Sequence, residues 1–526
     1  SDTVFSGRLL NGAGGAAATV ALRKVGAGAL TLAGANAHTG GTVVDSGTLN
    51  LLGDHTGANG SLTLNPLNEA AATVNIGGAA QTSATSAAFA AAAAVQVGSD
   101  GTSMNGFANQ TMLVEGSAGF ATTVNNAGSL LIGRSALMRV RTNAAWTQSG
   151  GLRIRGVGGY AATLALNAGG TFTHSETAPA DISPDPANTG GATLAVSGGT
   201  YLTAAGCSFG ASTSSGIGTF RMSTGGRLVL LRDVPELFTG AASGRVDLGT
   251  GGGVIDTAGF RTTVSRGIAN QSGQTGSLTK TGAGTLVLAG VNTYTGSTTV
   301  NDGTLQLSGS LASSATTVSG MGTLIGAGSA GAVTVAAGGT LSPGVDGPGT
   351  FATGALTLSA GGTARFEVGT SSDRVNVTGP LALHGALLLV DAGGLRSGTH
   401  TLFTHTGAFS GAPTLTPPAG YAARLDTSTA GQVRVVLLAN TYATWQLDHF
   451  TAPQLLDLAV SGPDATPAHD DRSNLMKYAL GLSPWSATPP AMSFAPADGA
   501  WHLTYPRPFS RADLAYAVGV APSLDA

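Results

Sequence analysis

A few groups of residues in this chain have the types and spacing that could do chemistry. Gly206-Cys207-Ser208-Phe209-Gly210 satisfies G-x-S-x-G, the pattern that exposes a serine nucleophile on a sharp strand-to-helix turn. No helical pattern follows it, and a chain this rich in glycine and serine should contain about one such match by chance. Gly326-Ala327-Gly328-Ser329-Ala330-Gly331 satisfies G-x-G-x-x-G, which holds a pyrophosphate only where a helix opens directly afterwards. Strand-like Ala332-Val333-Thr334-Val335 follows instead, so the glycines read as a turn. Asp464, Asp470, Asp471 and Asn474 offer oxygens to a hard cation such as calcium, which needs six to eight of them; a solvated loop is the simpler reading. His38, His174, His384, His400 and His405 lack metal-ligand spacing and are expected in loops or facing solvent. We assign no catalytic residue and no cofactor.

Composition narrows the classes further. Charged residues make up 10% of the 526-residue chain, against about 25% in ordinary soluble proteins. The net charge is −3, with only three lysines, Lys24, Lys280 and Lys477. No basic face is present to neutralise phosphates, so nucleic acid is an unfavourable partner. No apolar run reaches the roughly 18 residues that a membrane-spanning helix requires. Cys207 is the single cysteine, so an intrachain disulfide is impossible. The 82 glycines follow no collagen period and must punctuate turns.

What these residues punctuate is visible in Leu278–Leu307, LTKTGAGTLVLAGVNTYTGSTTVNDGTLQL. Apolar residues alternate in Thr285–Leu288 and Thr304–Leu307, the period of a half-buried strand, and Ser297–Val300 reads as a third short strand. Leu22–Leu51, LRKVGAGALTLAGANAHTGGTVVDSGTLNL, aligns with it without a gap at an offset of 256 residues. Lys24 matches Lys280, Gly26 and Gly28 match Gly282 and Gly284, and Asn36, Thr39, Gly40, Val44, Gly47, Thr48 and Leu49 recur. A unit with one apolar edge per strand cannot close a core alone and must stack on further coils. The pattern turns Leu30, Leu32, Leu49, Leu51, Leu286, Leu288, Val300, Leu305 and Leu307 inward.

This unit resembles the autotransporter-associated β-strand repeat of bacterial secreted proteins. The resemblance implies an all-β chain, a right-handed β-solenoid (parallel β-helix), exposed outside the cell or on its surface. It also implies a membrane barrel; no series of ten-residue amphipathic strands is seen here, so another export route is expected. The start at Ser1-Asp2-Thr3, passing directly into TVFSGRLL, fits a mature chain or a cytosolic one, and the resemblance favours the first.

Along the chain the expected divisions are a first repeat at 1–51, divergent solenoid coils at 52–276, the second full repeat at 277–309, further coils at 310–440, and a small mixed α/β or β-sandwich-like domain at 441–526. Within the divergent part, Ser175–Gly190 carries three prolines and is expected to bulge as a loop. The last division holds a helical pattern at Leu475, Tyr478, Ala479 and Leu482, capped by Ser473 or Asn474 and ended by Gly481, with strands at Trp501–Tyr505 and Leu514–Val520. Asp464 to Gly481 resembles a C-terminal module of secreted proteins from environmental bacteria, with Thr466 and Ala468 standing where that module has aspartates.

The leading functional expectation is a structural, non-enzymatic extracellular protein: a surface fibre or matrix component that associates with copies of itself. The alternatives are a β-helix polysaccharide lyase or hydrolase, disfavoured by only five glutamates, and an adhesin for a host or neighbour-cell ligand such as a surface glycan. Self-association would proceed head to tail. The segment Thr3–Leu10, with Thr3, Val4, Phe5, Leu9 and Leu10, would serve as a free strand. It would pair into the 441–526 region, where Leu514, Tyr516 and Val518 form an edge.

Overall fold

The computed structural model describes residues 2–11, 19–56, 60–64, 71–78, 81, 83–89, 94–97, 110–157, 159–184, 190–210, 216–490, 493–497, 500–504 and 511–516. The chain forms two compact units, Ser1–Thr340 and Leu341–Ala526.

The first unit is a right-handed parallel β-solenoid with three stacked faces, the hand that parallel β-crossovers adopt. One face is an 11-stranded sheet beginning Thr3–Phe5, Ala29–Leu32, Gly47–Leu51 and ending at Ile268–Asn270. A second is a nine-stranded sheet from Leu22–Lys24 through Thr42–Val44 to Phe238–Gly240. The third contains Thr85–Phe89, Thr122–Asn126, Ala144–Gln148, Gly170–His174 and Thr200–Thr203, each in register with the next. Equivalent residues of successive coils lie directly over one another: Leu49, Val74, Met112, Met138 and Leu164 make one continuous inward column. Alternation of side chains then buries every second residue, so each coil supplies only a few apolar groups and the core grows by repetition. On the third face one inward column is aromatic: Trp146, Phe172 and Tyr201 follow one another in register at centroid spacings of 6.2 and 6.1 Å, and Phe89, from the adjoining inward column, lies 6.4 Å from Trp146. Such pairs contribute roughly 0.5–1.5 kcal/mol each beyond their burial.

The inward assignments of the two repeats hold. Leu32, Leu49, Leu51, Leu286, Leu288, Val300, Leu305 and Leu307 are buried, while Leu30 is half-buried. The expected strands Ser297–Val300 and Thr304–Leu307 are one element, Thr298–Leu307, with a register irregularity between Val300 and Asp302. Ser175–Gly190 is not wholly a loop: Ala180–Ile182 is a strand paired with Leu152–Ile154 and with Cys207–Phe209.

In the second unit parallel coils stack in the same manner, Thr350–Thr353 on Arg374–Val377 on Gly398–His405. The pattern then changes. Gln432–Ala439 pairs antiparallel with Gly398–His405, and Tyr421–Asp426 pairs antiparallel with Gln432–Ala439. A parallel solenoid through residue 440 is therefore corrected. The hairpin folds back over the last parallel edge and occupies hydrogen-bonding groups that would otherwise template another strand.

Four helices follow among the described residues: α1 Tyr442–His449, α2 Ala452–Leu455, α3 Leu458–Ser461 and α4 Asn474–Leu480. Thr441 caps α1, and the Ser473 hydroxyl accepts from the Met476 N–H at the start of α4. Gly481, at φ 71°, ends α4 in the left-handed conformation. A hairpin of Ser493–Ala497 and Ala500–Thr504 completes a mixed α/β end. Leu514–Tyr516 is not a strand, and Val518 lies outside the described residues.

Candidate functional site

The most distinctive chemistry in the molecule is a buried cationic cradle built once in each repeat. Lys280 lies on Leu278–Thr281 at an inward position, wholly shielded from solvent. Its Nζ donates to the carbonyl oxygens of Thr281 at 2.9 Å, Gly282 at 2.6 Å and Asp302 at 3.1 Å. Lys24 repeats this arrangement, donating to Val25 O at 3.1 Å, Gly26 O at 2.7 Å and Ser46 O at 3.0 Å. Two acceptors in each case belong to the turn directly after the lysine, and the third belongs to the coil stacked above. The ammonium thus ties consecutive coils together through three charge-assisted bonds, which are stronger than neutral ones.

Each neighbouring motif residue has a matching task. Asn292 Oδ1 accepts from Ile268 N–H at 3.0 Å in the preceding coil, and its Nδ2 donates to Gly290 O at 3.0 Å. Asn36 does the same with Leu9 N–H at 2.8 Å and Gly34 O at 2.7 Å. Tyr294 is hydrogen-bonded to the Thr298 hydroxyl at 2.6 Å, and His38 to the Thr42 hydroxyl at 3.0 Å. Gly303 and Gly47 have φ of 63° and 72°, and a Cβ on either would sit 2.3–2.6 Å from carbonyl oxygens of the coil below. Only glycine fits that approach.

Burial sets the electrostatics. It pushes the Lys280 ammonium down to about 8, against the pull of the Asp302 and Asp256 carboxylates. It also lowers the His38 imidazole and raises the Tyr294 phenol. Lys477 is enclosed as well, donating to Pro484 O at 2.9 Å and paired with Asp470 at 2.7 Å. All three lysines of the chain are therefore interior groups.

The calcium candidates are arranged differently from a cation site. Asp470 pairs with Lys477 and with Arg472 at 3.0 Å, so an ammonium and a guanidinium already meet its oxygens. Asn474 turns its Nδ2 to Val460 O and Gly462 O, both at 2.9 Å, while Asp464 and Asp471 are exposed. Among the described residues no three His, Cys, Asp or Glu side chains gather as a metal would need. Asn474 and Tyr478 instead tie α4 to segments before it, Tyr478 OH donating to Asn440 O at 2.8 Å.

Ser208 sits inside a strand rather than on an elbow, and burial pushes the Cys207 thiol up to about 12. Gly326 ends a strand where a Cβ would meet Leu307 O, a stacking constraint with no helix after it. His174 is buried at the end of a strand, contrary to the expectation of a loop or solvent-facing place, whereas His38 is buried in an irregular segment and His384 is exposed between strands. Thr3–Leu10 is not free. Thr3, Val4 and Phe5 pair with Leu30, Thr31 and Leu32, the Leu9 carbonyl accepts from Ala37 N–H, and Leu10 bridges to Ala37. Tyr516 OH donates to Ala479 O at 2.8 Å, whereas Leu514 is half-buried in an irregular segment. Sequence reasoning did not assign the lysine cradles; the signal was the same lysine recurring in a chain with only three.

Comparison with known families places the passenger-associated-transport-repeat at residues 22–51 and 278–307, the two cradles and their strands. No curated protein matches the chain. Among the described residues no helix is long and apolar enough to cross a membrane.

Proposed function

We propose that this chain, which carries two passenger-associated-transport repeats, is an extracellular structural passenger displayed at or released from the cell surface. The observation that carries this reading is the duplicated lysine cradle, whose ammonium is spent on backbone carbonyls of its own turn and of the next coil. Such a unit stabilises stacking and offers no reactive group. The decisive experiment is protease shaving of intact cells with immunogold labelling of the full chain. Surface loss of the antigen supports the reading, and an antigen protected until lysis overturns it.

The finer part of the proposal is self-association through strand pairing. Thr3–Phe5 has one strand neighbour among the described residues, and Val4 is 67% exposed on it. A segment from a second copy pairing there would extend the sheet by one strand. Its test is sedimentation and negative-stain microscopy of wild type and of Val4→Pro, which removes a ladder donor. Filaments that persist in the variant, or a wild type that stays monomeric, defeat this part while leaving the structural reading in place.

A further inference from the structure

The hydrogen bonds of the two repeats differ at one titratable group. Asn36 is buried, and its amide is fixed by partners that can play only one role each. Leu9 N–H donates to Oδ1 at 2.8 Å, and Nδ2 donates to Gly34 O at 2.7 Å. The second Nδ2 hydrogen meets Nδ1 of His55 at 3.1 Å. His55 is itself buried, and its Nε2 lies 3.0 Å from Leu52 O, which can only accept. The proton of the neutral ring therefore sits on Nε2, and Nδ1 keeps the lone pair that receives Asn36. In the second repeat Asn292 Nδ2 donates to Gly290 O at 3.0 Å and Ser310 O at 3.1 Å. The position 256 residues beyond His55 is Leu311. The same asparagine is thus satisfied by carbonyls alone in one repeat and partly by an imidazole in the other.

What Asn36 holds is the start of the chain. Its Oδ1 takes the Leu9 N–H while the Ala37 N–H donates to the Leu9 carbonyl at 2.8 Å, so Leu9 is gripped at both ends. Protonation of His55 places a second N–H on Nδ1, aimed at the Asn36 amide hydrogens, and two donors then face each other. Turning the amide over gives Nδ1–H an acceptor. It also takes the donor from Gly34 O and sets Nδ2 against the Leu9 N–H. Either arrangement leaves buried polar groups unpaired. Two titratable groups act on the ring: Asp54, exposed beside it, favours the imidazolium, and His38, across a cavity of about 20 Å³, opposes it. Arg8, on the N-terminal segment, is exposed and donates to Ala35 O at 3.1 Å. Leu32, Leu51, Leu62 and Phe89 on the cavity walls carry no charge. Burial prevails and lowers the ring from 6.5. Below pH 6.5 an opened segment therefore takes up a proton that the closed one resists, and closure weakens as pH falls.

We propose that His55 and Asn36 form an acid-operated latch on the N-terminal segment, closed while the imidazole is neutral and released when it takes a proton. Release frees Thr3–Leu10 from the coil it lies on, where Thr3–Phe5 pairs with Leu30–Leu32. The second repeat stays shut, because the carbonyls that hold Asn292 do not titrate in this range. The inference is independent of whether the chain polymerises.

The test is hydrogen–deuterium exchange of the full chain between pH 7.5 and 4.5, read by mass spectrometry and corrected for the intrinsic pH dependence of amide exchange. Protection of peptides covering residues 2–11 and 29–37 should fall at least tenfold on acidification, while that of residues 278–311 holds. His55→Gln offers a side-chain carbonyl that does not titrate, and His55→Leu copies the second repeat. Either variant, once shown to match wild-type protection of residues 278–311 at pH 7.5, should lose the acid response of the N-terminal peptides. His38→Tyr should keep it, since His38 bonds to Thr42 and not to Asn36. A wild-type segment equally protected at both pH values overturns the latch. So does an acid response retained by the His55 variants, abolished by His38→Tyr, or shared equally by residues 278–311.

Discussion

The two repeats share a template but not a setting. In the second, Lys280 and Leu286 are sealed from solvent; in the first, Lys24 keeps 7% of its surface exposed and the equivalent Leu30 is only half-buried. Their hydrogen bonds are nevertheless equivalent acceptor by acceptor. The backbone cradle is therefore a local property of some thirty residues, whereas burial is supplied by what is stacked on either side. Below the first repeat, the strand Thr3–Phe5 is itself solvent-exposed. Below the second, Gly253–Asp256 and Arg261–Val264 belong to the continuous core.

The largest expected contrast is therefore in the core positions. Leu286→Asp places an unpaired carboxylate among fully buried leucines and should cost about 4–5 kcal/mol, the scale of an uncompensated interior charge. Leu30→Asp can turn its carboxylate toward water and should cost less than half as much. Urea denaturation of both variants measures the difference. Equal costs would show that the first repeat is as enclosed in solution as the second.

The glycine positions should behave in the opposite way. Gly303→Ala and Gly47→Ala introduce the same collision at the same φ, because the coil spacing that causes it belongs to the repeat. Each should lose about 2–3 kcal/mol, and the two values should agree within about 0.5 kcal/mol. A tolerated Gly47→Ala would mean that the outer coil can shift to make room, which would extend the difference in setting to the backbone.

Much of this was legible in the chain before any coordinates. The period-2 alternation marked the inward leucines, and the glycine spacing marked the turns. Ser473 and Gly481 marked the ends of α4. The cradles were less legible because a lysine beside a turn reads locally as a solvated charge. Its third acceptor, Ser46 or Asp302, lies 22 residues on and approaches only through stacking. The strand Ala180–Ile182 was hidden for a related reason: flanking prolines outweigh three residues of pattern, while Leu152–Ile154 supplies the ladder it joins. Arg153 and Asp181, which pair across neighbouring strands, are 28 apart in sequence and neighbours in space for the same reason. The hairpin over Gly398–His405 had no local signature separating it from another coil, since antiparallel and parallel strands share one alternation.

A smaller effect follows from Lys280. Its folded value of about 8 lies below the ordinary 10.5, so between these values the unfolded chain holds the proton that the folded chain has released. Stability linked to this group should therefore rise as pH increases from about 8 to about 10.5, by at most about 3 kcal/mol. Subtracting the profile of Lys280→Met removes the other groups titrating in that range. A difference profile that is flat, or that falls with pH, would show that the three carbonyls outweigh burial and hold the ammonium charged.

The smallest effect tests where the two templates differ in residue type. His38 and Tyr294 occupy equivalent places and each bonds to the threonine four residues on, but only the imidazole can acquire a charge near neutrality. Burial lowers the His38 value from 6.5, and no donor or acceptor in the protein meets its Nδ1. Below pH 6.5 the unfolded chain therefore takes up a proton that the folded chain resists, and stability linked to this group is lost as pH falls through that range. His38→Tyr copies the second repeat into the first. At pH 7.5 the change should be under about 1 kcal/mol, because the bond to Thr42 is kept and the ring stays enclosed. At pH 5 the variant should be the more stable protein, since a phenol takes up no proton there. Thermal melts of both proteins at the two pH values read the crossover directly. If the variant loses stability in parallel with wild type on acidification, the acid sensitivity of the first repeat resides elsewhere, and the histidine is no more than a shorter tyrosine.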